Sequence, residues 1–150
     1  MTLNIGDKAV DYNLKNANEE IGGESLSLEQ SAGDNGLVIV FECNHCPYVV
    51  ASVDRMNKMA EYCKSKQIGF VGINSNDASV YANDSFEHMV KRAKTVCRIP
   101  IFTMKLKKLL MHTEPKEPPN FSYLTVKKLS YIVAEWMIHL GTRLKYQLVN

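Results

Sequence analysis

Leu37-Val38-Ile39-Val40-Phe41-Glu42-Cys43-Asn44-His45-Cys46-Pro47-Tyr48 is the stretch that decides the fold. Five apolar residues in a row, 37–41, are the pattern of a strand buried on both faces. Beyond the two cysteines, Val49, Val53, Met56, Met59, Ala60 and Cys63 recur at helical spacing. The spacing predicts one amphipathic helix over residues 49–66, with Cys63 an apolar core residue. Two thiols three positions apart, between a buried strand and a helix start, are the sequence form of a thiol–disulfide redox site. The free N–H groups and positive end of a helix start stabilise a thiolate, so the thiol pKa is expected to fall there. On this reading Cys43 is the more reactive and more exposed thiol. Cys46, one turn on, is close enough to attack a mixed disulfide.

Two other readings stand beside this one. A Cys-x-x-Cys pair can be half of a zinc site, but that needs a second pair at metal spacing. Cys63 and Cys97 are isolated, and His45 between the cysteines is poorly placed to complete a tetrahedron, so no metal is expected. The remaining alternative is a pair of inert buried cysteines.

Working outward, Ile68-Gly69-Phe70-Val71-Gly72-Ile73-Asn74 reads as a second buried strand, with a turn over residues 74–77. Asp84 or Ser85 caps a further helix that carries Phe86, Met89, Val90 and Ala93 on one face. Strand, helix, strand in that order implies a right-handed βαβ unit with parallel strands. The cysteines then sit at the carboxyl end of the first strand, where open α/β sheets place their sites. Before them, residues 6–14 read as a short edge strand, 16–23 as a turn, 25–28 as a second short strand and 31–36 as another turn.

At 150 residues the chain is expected to form one domain with a real core. Its 45% hydrophobic and 23% charged residues suit a soluble globular protein. The first residues show no basic segment followed by an apolar one, so no signal peptide is expected. The apolar stretch 131–140 is broken by Glu135 and His139 and is too short to span a bilayer. The expected setting is the reducing cytoplasm, where such a cysteine pair is catalytic rather than structural.

Up to Lys94 the chain resembles the thioredoxin-fold redoxins, the AhpC/TSA and TlpA-like group. The residues that carry the likeness are Gly6-Asp7-Lys8-Ala9-Val10-Asp11, Ser27-Leu28, Phe41-Glu42-Cys43-Asn44-His45-Cys46-Pro47-Tyr48-Val49 and Phe70-Val71-Gly72-Ile73-Asn74-Ser75-Asn76-Asp77. The helix opening Asp84-Ser85-Phe86-Glu87 adds to it. The resemblance implies an α/β, thioredoxin-like fold with a central mixed sheet flanked by helices. It makes Cys43 the attacking thiol and Cys46 the resolving one, with His45 and Pro47 tuning the redox potential. Implied partners are protein or small-molecule disulfides and thiols, with no cofactor. The Pro-x-x-x-Thr-x-x-Cys frame of true peroxiredoxins is absent, which favours dithiol–disulfide exchange, in an antioxidant role, over direct peroxide reduction.

Past Lys94 the pattern changes. Residues 1–94 carry 9 basic and 13 acidic side chains; residues 95–150 carry 9 basic and 3 acidic. Pro115, Pro118 and Pro119 cut the middle of the second part. Joining the last base of each codon from Phe102 onward to the first two of the next makes Met104-Lys105 encode Glu, Met111-His112 Ala, and Trp136-Met137-Ile138 Asp-Asp. These fall where the resembled family has them. The domain reading is therefore a redoxin core over 1–94 and a frameshifted remainder over 95–150, leaving the fold incomplete on its C-terminal side. Cys97, His112 and His139 are then not functional. Pro119 stands where the family has the cis-proline of a Thr-Pro turn, and residues 120–126 could pass for a strand. The alternatives to an oxidoreductase are a non-functional product of a damaged gene, or a thioredoxin-like binding protein with a basic tail. Basic and aromatic residues in that tail show no ordered interleaving, which argues against a nucleic-acid site.

Overall fold

The computed structural model describes residues 11–103 and the strands over 120–127 and 130–137. The apolar run folds as expected, as strand β3, Leu37–Phe41. It pairs in parallel with β4, Gly69–Asn74, in the register Leu37 to Gly69 through Phe41 to Ile73. A third parallel strand, β5 (Ile101–Thr103), continues the sheet beyond β4. An antiparallel hairpin of β1 (Asn13–Lys15) and β2 (Ser25–Ser27) joins this edge through a bridge between Asn16 and Phe102, so the sheet is mixed.

Side chains alternate across β3 and sort into two cores. On one face Leu37 and Ile39 pack with Tyr12, Leu26, Val71, Ile73 and Phe102 under the hairpin. On the other, Val40 and Phe70 meet Val53, Met56 and Cys63 of helix α3 (Val53–Ser65) and Met89 and Ala93 of helix α4 (Phe86–Thr95). Cys63 is thus the core residue its spacing predicted. The core continues past Lys94, with Cys97, Ile99, Ile101 and Phe102 all buried.

The predicted turn over residues 16–23 is built around Asn16, which is fully buried. Its amide donates to the carbonyls of Asn18, Ile21 and Gly23, and its Oδ1 accepts from the N–H groups of Asn18 and Ile101. One side chain therefore closes the turn and ties it to β5. Gly69 lets β4 run against α1 (Leu28–Ser31): a Cβ there would lie 1.9 Å from the Ser31 carbonyl oxygen.

Two local expectations are corrected. The segment 25–28 is not all strand, because Ser27 and Gln30 form a reciprocal capping box that starts α1 at Leu28. The helix predicted over 49–66 is two, α2 (Pro47–Val50) and α3. The break falls at Ala51 and Ser52, where the Ser52 hydroxyl donates back to the Tyr48 carbonyl at 2.7 Å. Such back-bonding competes with the helical ladder and bends the chain.

Strands β6 (Asn120–Lys127) and β7 (Ser130–Met137) form an antiparallel hairpin, and β6 lies alongside β3. This bears out the strand read over 120–126. The hydrogen-bonded ladder of β6 runs to β7. His112, Pro115, Pro118, Pro119 and His139 lie outside the described residues.

Candidate active site

The site begins where β3 ends. The N–H of Glu42 still bonds to Ile73 across the sheet at 3.0 Å, and the chain then turns through Cys43, Asn44 and His45 into α2. Cys46 is the N-cap of α2 and makes no side-chain capping bond. Pro47 occupies the first helical turn, where its missing N–H and fixed φ cost nothing, and it is exposed. The structure thus brings Cys43, His45, Cys46 and Pro47 into one turn. All four cysteines of the chain are free thiols.

The exposure order of the two cysteines is the reverse of that expected. Cys43 is buried, at 7% relative exposure, while Cys46 is half-buried. The expected fall in the Cys43 pKa is reversed as well. Burial pushes the thiol up to about 11; the backbone N–H groups of Cys46 and His45, which bond to it, and the negative charge of Asp84, which opposes them, are smaller effects. The reason is that α2 is only four residues long and the sulfur faces the core. Desolvation of the anion outweighs what two N–H groups and a short helix supply.

Of the two residues offered as the cap of α4, Asp84 and Ser85, the structure selects Ser85. Ser85 is the true cap of α4, and its hydroxyl receives the His88 N–H. Asp84 instead ends a short 3₁₀ turn, Ala82–Asp84, and turns inward at 2% exposure. Its Oδ1 accepts from the Asn44 N–H at 2.6 Å. Its Oδ2 accepts from Asn76 Nδ2 at 2.9 Å and lies 2.5 Å from His45 Nδ1. Burial pushes this carboxyl up, but the donors from Asn44, Asn76 and His45 together outweigh it and hold the pKa below the ordinary value. The His45 ring, 31% exposed, stacks on Tyr81 at 4.2 Å between centroids and 7° between planes. A signal was present in the sequence: two capping residues precede one helix, which leaves one of them free for another role.

A second buried charge lies under the same turn. Glu42 forms an ion pair with Arg92 of α4, its side chain fully buried and that of Arg92 10% exposed. Arg92 Nη1 also donates to the Cys43 carbonyl at 2.9 Å. Gly72, opposite Val40 in β4, makes room for Glu42: a Cβ there would lie 3.2 Å from Glu42 Cγ. The isolated glutamate at the end of an apolar strand was the sequence signal for a buried partner, but nothing local names Arg92, fifty positions away.

Donor atoms of Cys43, His45 and Asp84 lie within 4.8 Å of one another, so a thiol, an imidazole and a carboxylate converge. These are donors a borderline cation accepts. The Asp84 oxygens already receive the N–H groups of Asn44 and Asn76, and a cation would have to displace the His45 contact.

A family model described as AhpC/TSA family matches residues 5–105. An uncharacterized conserved protein from Geobacillus kaustophilus superposes with a TM-score of 0.77 at 27% identity, covering 98% of this chain and 76% of that one. A hypothetical protein from Sinorhizobium meliloti gives 0.76 at 19% identity, with 97% and 79% covered. The thioredoxin domain of a thiol-disulfide oxidoreductase from Bacteroides vulgatus gives 0.61 at 13% identity, with 91% and 90% covered. No match was found among curated proteins.

Proposed function

Because the chain belongs to the AhpC/TSA family and has a thioredoxin-like fold, we propose that it is a thiol–disulfide oxidoreductase working by dithiol–disulfide exchange through Cys43 and Cys46. The observation that carries this reading is the placement of Cys43 and Cys46 in one turn, at the carboxyl end of β3 and the cap of α2. Cys43 attacks a substrate disulfide, and Cys46, at the cap of α2, attacks Cys43 in turn and releases the reduced product. Substrates are protein or small-molecule disulfides in a reducing compartment, and an antioxidant role follows from the same turnover.

A second assignment, with Cys46 attacking, is favoured by its greater exposure. Trapping separates the two. With a peptide disulfide, Cys46→Ser should accumulate a mixed disulfide on Cys43, seen by intact mass, while Cys43→Ser should not. Accumulation on Cys46 alone would reverse the roles, and absence of exchange by the unaltered protein would end the reading. We also propose that the frame changes within residues 95–150; resequencing the gene and finding this frame intact would remove that proposal.

A further inference from the structure

Asp84 is buried, and its two oxygens accept from the backbone N–H of Asn44 and the amide of Asn76 and lie against the ring of His45. A carboxylate so placed is ionised and can only accept. His45 Nδ1, at 2.5 Å from Oδ2, must then be the donor, which leaves Nε2 as the basic nitrogen whenever the ring is neutral. The stack on Tyr81 fixes the ring plane as well as its rotation. One ring nitrogen of His45 lies within 4.8 Å of the Cys43 sulfur, so the ring and the thiol are neighbours that a water can bridge.

We propose that Asp84 is a positioning residue that holds His45 with its proton on Nδ1, so that Nε2 carries the proton to and from Cys43 during exchange. This deepens the function proposed above and rests on it. Cys43, buried where the helix start does not lower its pKa, is the thiol that needs a base. In the step, the Cys43 S–H proton passes to His45 Nε2 while the sulfur attacks one sulfur of the substrate disulfide. The substrate S–S bond breaks, a Cys43–substrate S–S bond forms, and the departing thiolate takes the proton back from Nε2. Cys46 then gives its thiol proton to water and attacks Cys43; the Cys43–substrate S–S bond breaks, the Cys43–Cys46 bond forms, and the second substrate thiolate leaves and takes a proton from water. The net change is a two-electron oxidation of the Cys43–Cys46 dithiol and reduction of one substrate disulfide to two thiols.

The geometry also predicts what Asp84→Asn does. Asn44 N–H still needs an acceptor at Oδ1, so the new amide NH₂ faces His45 and donates to Nδ1. The ring proton moves to Nε2, and the free base is lost. The test is ¹⁵N NMR of the full chain at alkaline pH, with rates of peptide-disulfide reduction measured alongside. The unaltered protein should carry the His45 proton on Nδ1 and Asp84→Asn should carry it on Nε2, with exchange slowed on the order of 100-fold. In a His45→Ala background, Asp84→Asn should change the rate by less than about twofold, since the lost base is already absent. A purely structural Asp84 would slow both backgrounds equally, and that result overturns the proposal. A proton on Nε2 in the unaltered protein overturns it without any variant having to fold. Absence of exchange in the unaltered protein instead removes the underlying function, and the tautomer result tells the two failures apart.

Discussion

Arg92→Ala tests how far the buried ion pair supports the turn that carries Cys43. In the folded protein Glu42 is fully buried and Arg92 is its charged partner. Removing one member of such a pair leaves a charge in the low-dielectric interior, which costs about 3–5 kcal/mol. The Cys43 carbonyl loses its Arg92 donor in the same step. A domain of this kind has about 5–15 kcal/mol in all, so the variant should sit near the edge of folding at room temperature. With a urea slope of about 2 kcal/mol per molar, the midpoint should fall by about 2 M. The diagnostic control is the double variant Glu42→Leu with Arg92→Met. It removes both charges and keeps the volume apolar, so it should lose less than Arg92→Ala alone, with a coupling of at least about 2 kcal/mol. The assay is urea unfolding followed by far-ultraviolet circular dichroism, with the two-state character checked by a second probe. A loss under about 1 kcal/mol for Arg92→Ala, or a double variant that simply sums its singles, would show that Glu42 is solvated and the pair is not buried in the sense argued.

Asp84 gives a pH-dependent stability with a definite sign. Its folded pKa lies below the ordinary value of about 3.9, so its stabilisation is complete above that value and is lost as pH falls through the folded pKa. Acid unfolding should therefore be less steep in Asp84→Asn than in the unaltered protein below about pH 4; parallel acid limbs would contradict this. For Cys43, iodoacetamide alkylation of the reduced protein should keep accelerating toward about pH 11, followed by mass spectrometry of the labelled peptide. A plateau by about pH 9.5, one unit above the pKa of a free thiol, would mean the sulfur is solvated. Gly69→Ala would place a methyl 1.9 Å from the Ser31 carbonyl oxygen and force α1 away from β4. It should cost about 2 kcal/mol or more, and an unchanged melting temperature would show that α1 yields freely.

The periodic parts of the chain were legible because burial follows from alternation and spacing alone. Leu37–Phe41 had to be an interior strand, and β4 the strand beside it, since nothing else in the βαβ unit could cover them. Phe86, Met89, Val90 and Ala93 marked the inner face of α4 for the same reason. The break at Ser52 was not legible: a serine hydroxyl returning to Tyr48 is a local hydrogen bond that the apolar pattern of the helix conceals. The end of α4 at Thr95 and the return of the chain as β5 depended on contacts such as Asn18 with Cys97 and Ile99, about eighty positions apart.

The candidate site divides along the same line. That Cys43, His45, Cys46 and Pro47 share one turn at the carboxyl end of a buried strand is written in the chain, because their spacing is covalent and the strand and helix on either side follow from local periodicity. The protonation chemistry of that turn comes instead from parts of the chain that meet in space. Cys43 is buried by residues from other elements, Asp84 arrives from beyond β4, and Arg92 arrives from α4. A thiol pKa is set by the solvent removed from the sulfur and by charges brought near it in space, and neither quantity has a period along the chain.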